Sequence, residues 1–191
     1  MIPPRAYFER IGTLLATMQV RHRDMPATLE SGCAEAVERL LEVRRRAAKI
    51  VLVGNGGSAS IAGHMQMDLS NRVGVRAQVF HDPPVLTALA NDHGYAGAFE
   101  RLTRLWIASG DCLIAISSSG RSENIVRSVA AARAAGAAII TFSGFSPDNP
   151  LAQLADLAFY VDSQEYGEVE VAHHALGHYL TDCAASHAEA R

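Results

Sequence analysis

Two groups of acid and imidazole side chains stand far apart in this chain. The segment 59–72 carries His64 and Asp68, four residues apart, and the segment near the C-terminus carries Glu170, His173, His174 and His178. Four residues advance an α-helix by about 400°, so side chains at that spacing share a face. Imidazole titrates near neutrality and a carboxylate can be tuned towards it, which suits general acid–base chemistry. The same donors suit zinc or a similar divalent cation. Taken singly, His64 and Asp68 read as an ordinary helix-surface pair. The second group reads equally well as the polar face of a terminal helix. Their interest comes from the loops that accompany them.

Two loops have the composition of phosphate cradles. Gly54-Asn55-Gly56-Gly57-Ser58 follows the apolar run Lys49–Val53 and precedes a helical pattern. Glycines let backbone N–H groups approach a ligand, and the helix behind presents free N–H groups and a positive dipole end. Gly54, Gly56 and Ala59 also fit the dinucleotide fingerprint, with Asp82 as a candidate ribose acid. A purely structural turn is an equal alternative. The second loop, Ser117-Ser118-Ser119-Gly120-Arg121-Ser122, is denser. A helix cap needs one serine; four hydroxyls and a glycine at a helix start make an anion site the better reading.

Positioning these loops requires parallel strands, and the chain supplies them. Short apolar runs at 49–53, 77–80, 112–116, 137–142 and 157–161 alternate with helical patterns at 59–72, 84–90, 96–107, 123–135 and 168–188. Continuous apolar strands between helices predict an α/β fold, a five-stranded parallel sheet covered on both faces. Both loops then lie at the carboxyl ends of strands, where open α/β sheets bind ligands. Ahead of this core, Phe8, Ile11, Leu15 and Met18, and then Leu29, Cys33, Val37 and Leu40, recur at helical spacing. Residues 1–48 are thus expected to form a helical arm, with Pro26 at the start of its second helix. That arm packs either on its own domain or in an oligomer interface. Residues 49–191 form the α/β core of a single domain.

Composition narrows the function classes. The 191 residues are 49% hydrophobic with a formal charge of −3, enough apolar mass for a core and no basic surplus for nucleic acid. No apolar run reaches the roughly 20 residues that span a bilayer, and no signal peptide is evident. Cys33, Cys112 and Cys183 form no disulfide framework, which fits a reducing, cytoplasmic setting.

Five motifs in fixed order, GNGGSAS, AGHMQMDLSNR, LANDHGY, ISSSGRSENIV and E-x-x-H-x-x-x-x-H, resemble the phosphoheptose isomerase family of SIS (sugar isomerase) domains. The resemblance spans most of the chain. It implies a homotetramer that interconverts sedoheptulose 7-phosphate and an aldoheptose 7-phosphate. It places substrate contacts on Asn55, Gly56, Gly57, Ser58, Asp68, Asn91, Asp92, Ser117, Ser118, Ser119, Ser122 and Glu170. Zinc ligands would fall on His64, Asp68, Glu170 and His178, and the acid–base pair on Asp68 and His178.

Two positions depart from the family pattern, which has Glu at Asp68 and Gln at Glu170. The shorter Asp68 sets its carboxylate back by about 1.5 Å, and a misplacement near 1 Å can cost on the order of 100-fold in rate. The extra charge of Glu170 should strengthen cation binding. Three alternatives stand beside the heptose reading. One is a non-catalytic SIS protein of the replication-initiator-associating type, which typically lacks the acid and the last histidine. Another is a SIS isomerase acting on a different sugar phosphate. The third is an NAD-binding oxidoreductase.

Overall fold

The computed structural model describes residues 2–189. Its parallel strands are β3 (Lys49–Val53), β4 (Arg76–Val79), β5 (Cys112–Ser117), β6 (Ala138–Ser143) and β7 (Leu157–Tyr160). Two strands foreseen nowhere in the sequence pattern, β1 (Gln19–His22) and β2 (Met25–Ala27), extend this sheet to seven in the order β2-β1-β7-β6-β5-β3-β4. β1 runs antiparallel to both β2 and β7. The expectation of five strands is therefore corrected to seven, of which the five expected ones form the parallel part.

The N-terminal arm changes accordingly. Its helices are α1 (Pro4–Ala16) and α2 (Leu29–Arg45), and the β1–β2 hairpin lies between them. Pro26 sits in the edge strand β2 rather than opening α2, a position where the missing N–H is tolerated. The helix starts instead behind Thr28, whose hydroxyl accepts from the Ser31 N–H at 3.1 Å. The hairpin turns through Arg23 at φ 52°. One apolar residue in the four of Gln19–His22 leaves little alternation to read, although Val20 is buried.

The remaining helices are α3 (Gly57–Asp68), α4 (Pro83–His93), α5 (Tyr95–Trp106), α6 (Glu123–Ala134), the short α7 (Pro150–Gln153) and α8 (Tyr166–Glu189). Alternate strand residues feed two cores. Ile50, Leu52, Ile114 and Phe142 pack with α2, α3 and α8 on one face. Val51, Val53, Leu113 and Ile139 pack with α5, α6 and α7 on the other. Period-two alternation with both faces apolar is what makes each strand read as a continuous hydrophobic run.

Strand order reverses at β3, which pairs with β4 on one side and β5 on the other. The loops leaving β3 and β5 therefore flank a common crevice at the switch point. No described helix is long and apolar enough to cross a membrane.

Candidate functional site

The crevice is a cleft of about 240 Å³ lined by Asn55, Gly56, Gly57, Ser58, Ser117, Ser118, Ser119, Ser122, Tyr166 and Glu170. The structure thus brings both sequence-predicted loops to one place. Ser122 occupies the N-cap position of α6, yet its hydroxyl makes no capping hydrogen bond. The Ser117 hydroxyl donates to that of Ser122 at 3.3 Å. The buried Ser118 hydroxyl has no protein partner among the described residues. A hydroxyl left unpaired in a cleft beside a helix start is available to a ligand oxygen.

The two loops are tied by a bracket that the sequence did not announce. Asn55 donates to the Asn124 carbonyl oxygen at 3.0 Å and accepts from the Asn124 amide at 2.9 Å. Tyr95 donates to the same Asn55 oxygen at 2.7 Å. The Asn55 side chain lines the cleft but is already engaged, so it holds the loop in shape. Tyr166, also unforeseen, closes the cleft and rests edge-on against Phe145, with centroids 4.8 Å apart. Asn91 and Asp92 lie outside this lining, exposed at the end of α4 and bonded to each other at 3.1 Å.

Two helices run from the cleft side by side. Gly57 at the start of α3 meets Glu170 on α8; a Cβ at residue 57 would meet the Glu170 carboxylate, which therefore lies directly over this glycine. Further along, Asp68 on α3 is 5% exposed. Its Oδ2 lies 3.6 Å from His64 Nε2 and 3.7 Å from His178 Nδ1. The predicted acid and the predicted histidine are therefore neighbours within one chain. A π-helical turn, Leu69–Val73, follows Asp68 directly; such turns are frequent at functional sites.

His174 joins this group, and Glu170 does not. His64, His174 and His178 each offer a ligand atom within 4.8 Å of the others. The His174 and His178 rings stack with centroids 5.0 Å apart at 12°, and the His64 ring stands edge-on to both. Burial, then the nearby His178 and His64, push the His174 pKa below the usual histidine range, against the pull of Asp68. The His174 Nε2 is buried without a hydrogen-bond partner among the described residues. Clustered imidazoles with an orphaned nitrogen and an adjacent carboxylate fit a divalent cation. Glu170 instead lies one helical turn before His174, about 6 Å along the axis, over Gly57 in the cleft.

His173, next to His174 in the chain, is a core residue. It is fully buried, its Nε2 lies 3.1 Å from the Ser143 carbonyl oxygen, and burial pushes its pKa down to about 4. Asp82, the candidate ribose acid, caps α4 instead by accepting from the Val85 N–H at 3.1 Å.

Comparison with known proteins agrees with this geometry. A SIS domain family model matches residues 13–144. A phosphoheptose isomerase from Aquifex aeolicus is 36% identical over 140 residues, covering 70% of this chain and 73% of the relative. One from a Roseiflexus species is 32% identical over 178 residues, covering 90% and 89%. The solved structure of phosphoheptose isomerase from Neisseria gonorrhoeae superposes with a TM-score of 0.82 at 27% identity, covering 94% of this chain and 96% of that one. With the serine cradle, the glycine loop and the acid–imidazole group all in place, the chain belongs to the phosphoheptose isomerase family of SIS-domain proteins.

Proposed function

We propose that the protein interconverts sedoheptulose 7-phosphate and an aldoheptose 7-phosphate through an enediol, with Asp68 and His178 as its proton carriers. The observation that carries this reading is the 3.7 Å approach of His178 to a buried Asp68 on helices that also wall a phosphate-type cleft. The serine loop and the backbone of residues 56–58 hold the phosphate. That binding energy, spent far from the reacting carbons, positions the sugar's other end.

For the ketose, the Asp68 carboxylate takes a proton from C1. The C2 carbonyl oxygen gains a proton, giving the enediol. O1 then loses its proton to become the aldehyde, and C2 receives one. His178 manages the oxygen protons, as an imidazole that can give and take near neutrality. The imidazoles of His64 and His178, beside Asp68, would hold a divalent cation such as zinc, which would supply electrophilic polarisation of the carbonyl and stabilise enediolate charge.

The assembly we propose is a homotetramer working in the cytoplasm. Supporting the tetramer, no residue of α4 is fully buried within one chain, and Leu105 and Trp106 are exposed at 77% and 49%. Asn91 and Asp92, expected substrate contacts, stand exposed at the end of that helix. The non-catalytic alternative is disfavoured because both proton carriers are present and adjacent. A nicotinamide cofactor is disfavoured because Asp82 is consumed as a cap. The test is turnover of sedoheptulose 7-phosphate followed by NMR of the sugar, with metal content measured on the same sample. Aldoheptose phosphate should form; absence of product from metal-replete protein would refute the proposal.

A further inference from the structure

We propose that His174 is a metal ligand in this protein and that Glu170 is not: the cation is held by His64, His174 and His178 beside Asp68, while Glu170 faces the sugar in the cleft. The resemblance assigned the cation to Glu170 instead, and the geometry of this chain separates the two positions. Glu170 lies over Gly57, among the loops. His174 lies against His64 and His178, with ring centroids 5.0 Å from each.

Several features build this set. His174 and His178 are four residues apart on α8, as His64 and Asp68 are on α3, so each helix presents one aligned pair. The helices come together because residue 177 is glycine: a Cβ there would sit 2.9 Å from the Met65 sulfur, nearer than packed atoms allow. Zinc–nitrogen bonds of about 2.0–2.1 Å put tetrahedral ligand atoms about 3.3 Å apart. Ligand atoms within 4.8 Å of one another reach that spacing by ring tilts of under about 1 Å. The His174 Nε2 is buried and has no hydrogen-bond partner among the described residues, a cost that a cation removes.

Glu170, released from the cation, accepts hydrogen bonds from sugar hydroxyls, which a carboxylate does with both oxygens.

The inference rests on the functional reading of Asp68 and His178, but its readout is metal rather than turnover. The protein is stripped with a chelator and titrated with Co²⁺. Visible absorption and bound metal per chain are recorded for wild type, His174→Ala and Glu170→Gln. Wild type should take up one Co²⁺ per chain with the strong bands of a four-coordinate site. Glu170→Gln should keep both the content and the spectrum. His174→Ala should bind about 100-fold more weakly or worse, since even outer-shell changes cost 10–100-fold. If His174→Ala does not fold, His174→Asn carries that arm, and the half-buried Glu170 decides the other independently. Loss of metal or a changed spectrum in Glu170→Gln overturns the inference, as does retention in the His174 variant or no uptake by wild type. A protein that turns over substrate yet holds metal through Glu170 sinks this inference alone. One that holds metal on His174 yet is inert sinks the functional reading alone.

Discussion

Gly120 holds the serine loop in a conformation that alanine resists for two separable reasons. Its φ is +63°, and an L-residue in that left-handed region costs about 1–2 kcal/mol. A Cβ would also collide with the side chain of Asn149. Asn149 is fully buried, donates to the Ser143 hydroxyl at 3.0 Å and the Ser146 carbonyl at 2.8 Å, and caps α7 by accepting from Ala152 N–H at 2.9 Å. Displacing it forfeits a cap, about 1 kcal/mol, and strands a buried polar group, about 1–3 kcal/mol. Gly120→Ala should therefore destabilise by roughly 3–6 kcal/mol in all. In an Asn149→Ala background the collision is gone, and only the backbone strain of about 1–2 kcal/mol should remain. Urea unfolding of the four proteins measures the difference. Equal costs in both backgrounds, or a Gly120→Ala protein within about 0.5 kcal/mol of wild type, would show that the loop is not held this way.

Three further outcomes are expected. Ser118→Ala should leave stability of the unliganded protein nearly unchanged, because its hydroxyl has no protein partner, but weaken sugar-phosphate binding by roughly 10–100-fold, as for one hydrogen bond to a charged group; calorimetric titration reads both arms, and unaltered affinity would remove Ser118 from the cradle. Asn124→Ala should cost about 1–3 kcal/mol by stranding the Asn55 amide and should raise KM more than it lowers kcat; an unchanged KM would show that the bracket does not shape the loop. His173 is held neutral with a pKa of about 4 against the usual 6.5, so the unfolded chain takes up a proton first as pH falls. Its contribution is complete above pH 6.5 and is lost between 6.5 and 4, amounting to about 3 kcal/mol. Chelator-treated wild type should lose that much more over this range than His173→Gln, and parallel pH profiles would contradict it.

Much of the architecture was legible because burial on both faces writes each parallel strand as an apolar run. Ile50–Val53 and Leu113–Ile116 are wholly buried, and each is followed by a loop of small polar residues. The hairpin was not legible. Gln19–His22 buries only Val20, and its turn uses Arg23 in a left-handed conformation where Asn or Gly is the usual signal. Within the site, spacing placed Asp68 on the face of His64 correctly, since that depends on one helix alone. Whether Glu170 or His174 would reach His64 depends on how α8 packs against α3. That packing brings Gly177 against the buried Met65, a small residue whose meaning exists only once the helices are side by side. The Asn55–Asn124 bracket has the same character, joining residues 69 apart in the chain.

Asp68 is the proposed carrier of the carbon-bound proton of an open-chain sugar phosphate. The direct measurement is solvent deuterium incorporation into sedoheptulose 7-phosphate and its aldose product, followed by NMR in D2O with wild type and Asp68→Asn at matched metal content. Wild type should place deuterium at the carbon beside the carbonyl as product forms. Asp68→Asn should still bind the sugar phosphate but exchange at least about 100-fold more slowly, the lower end of what general-base catalysis contributes. Exchange at the wild-type rate in Asp68→Asn would rule out Asp68 as that base.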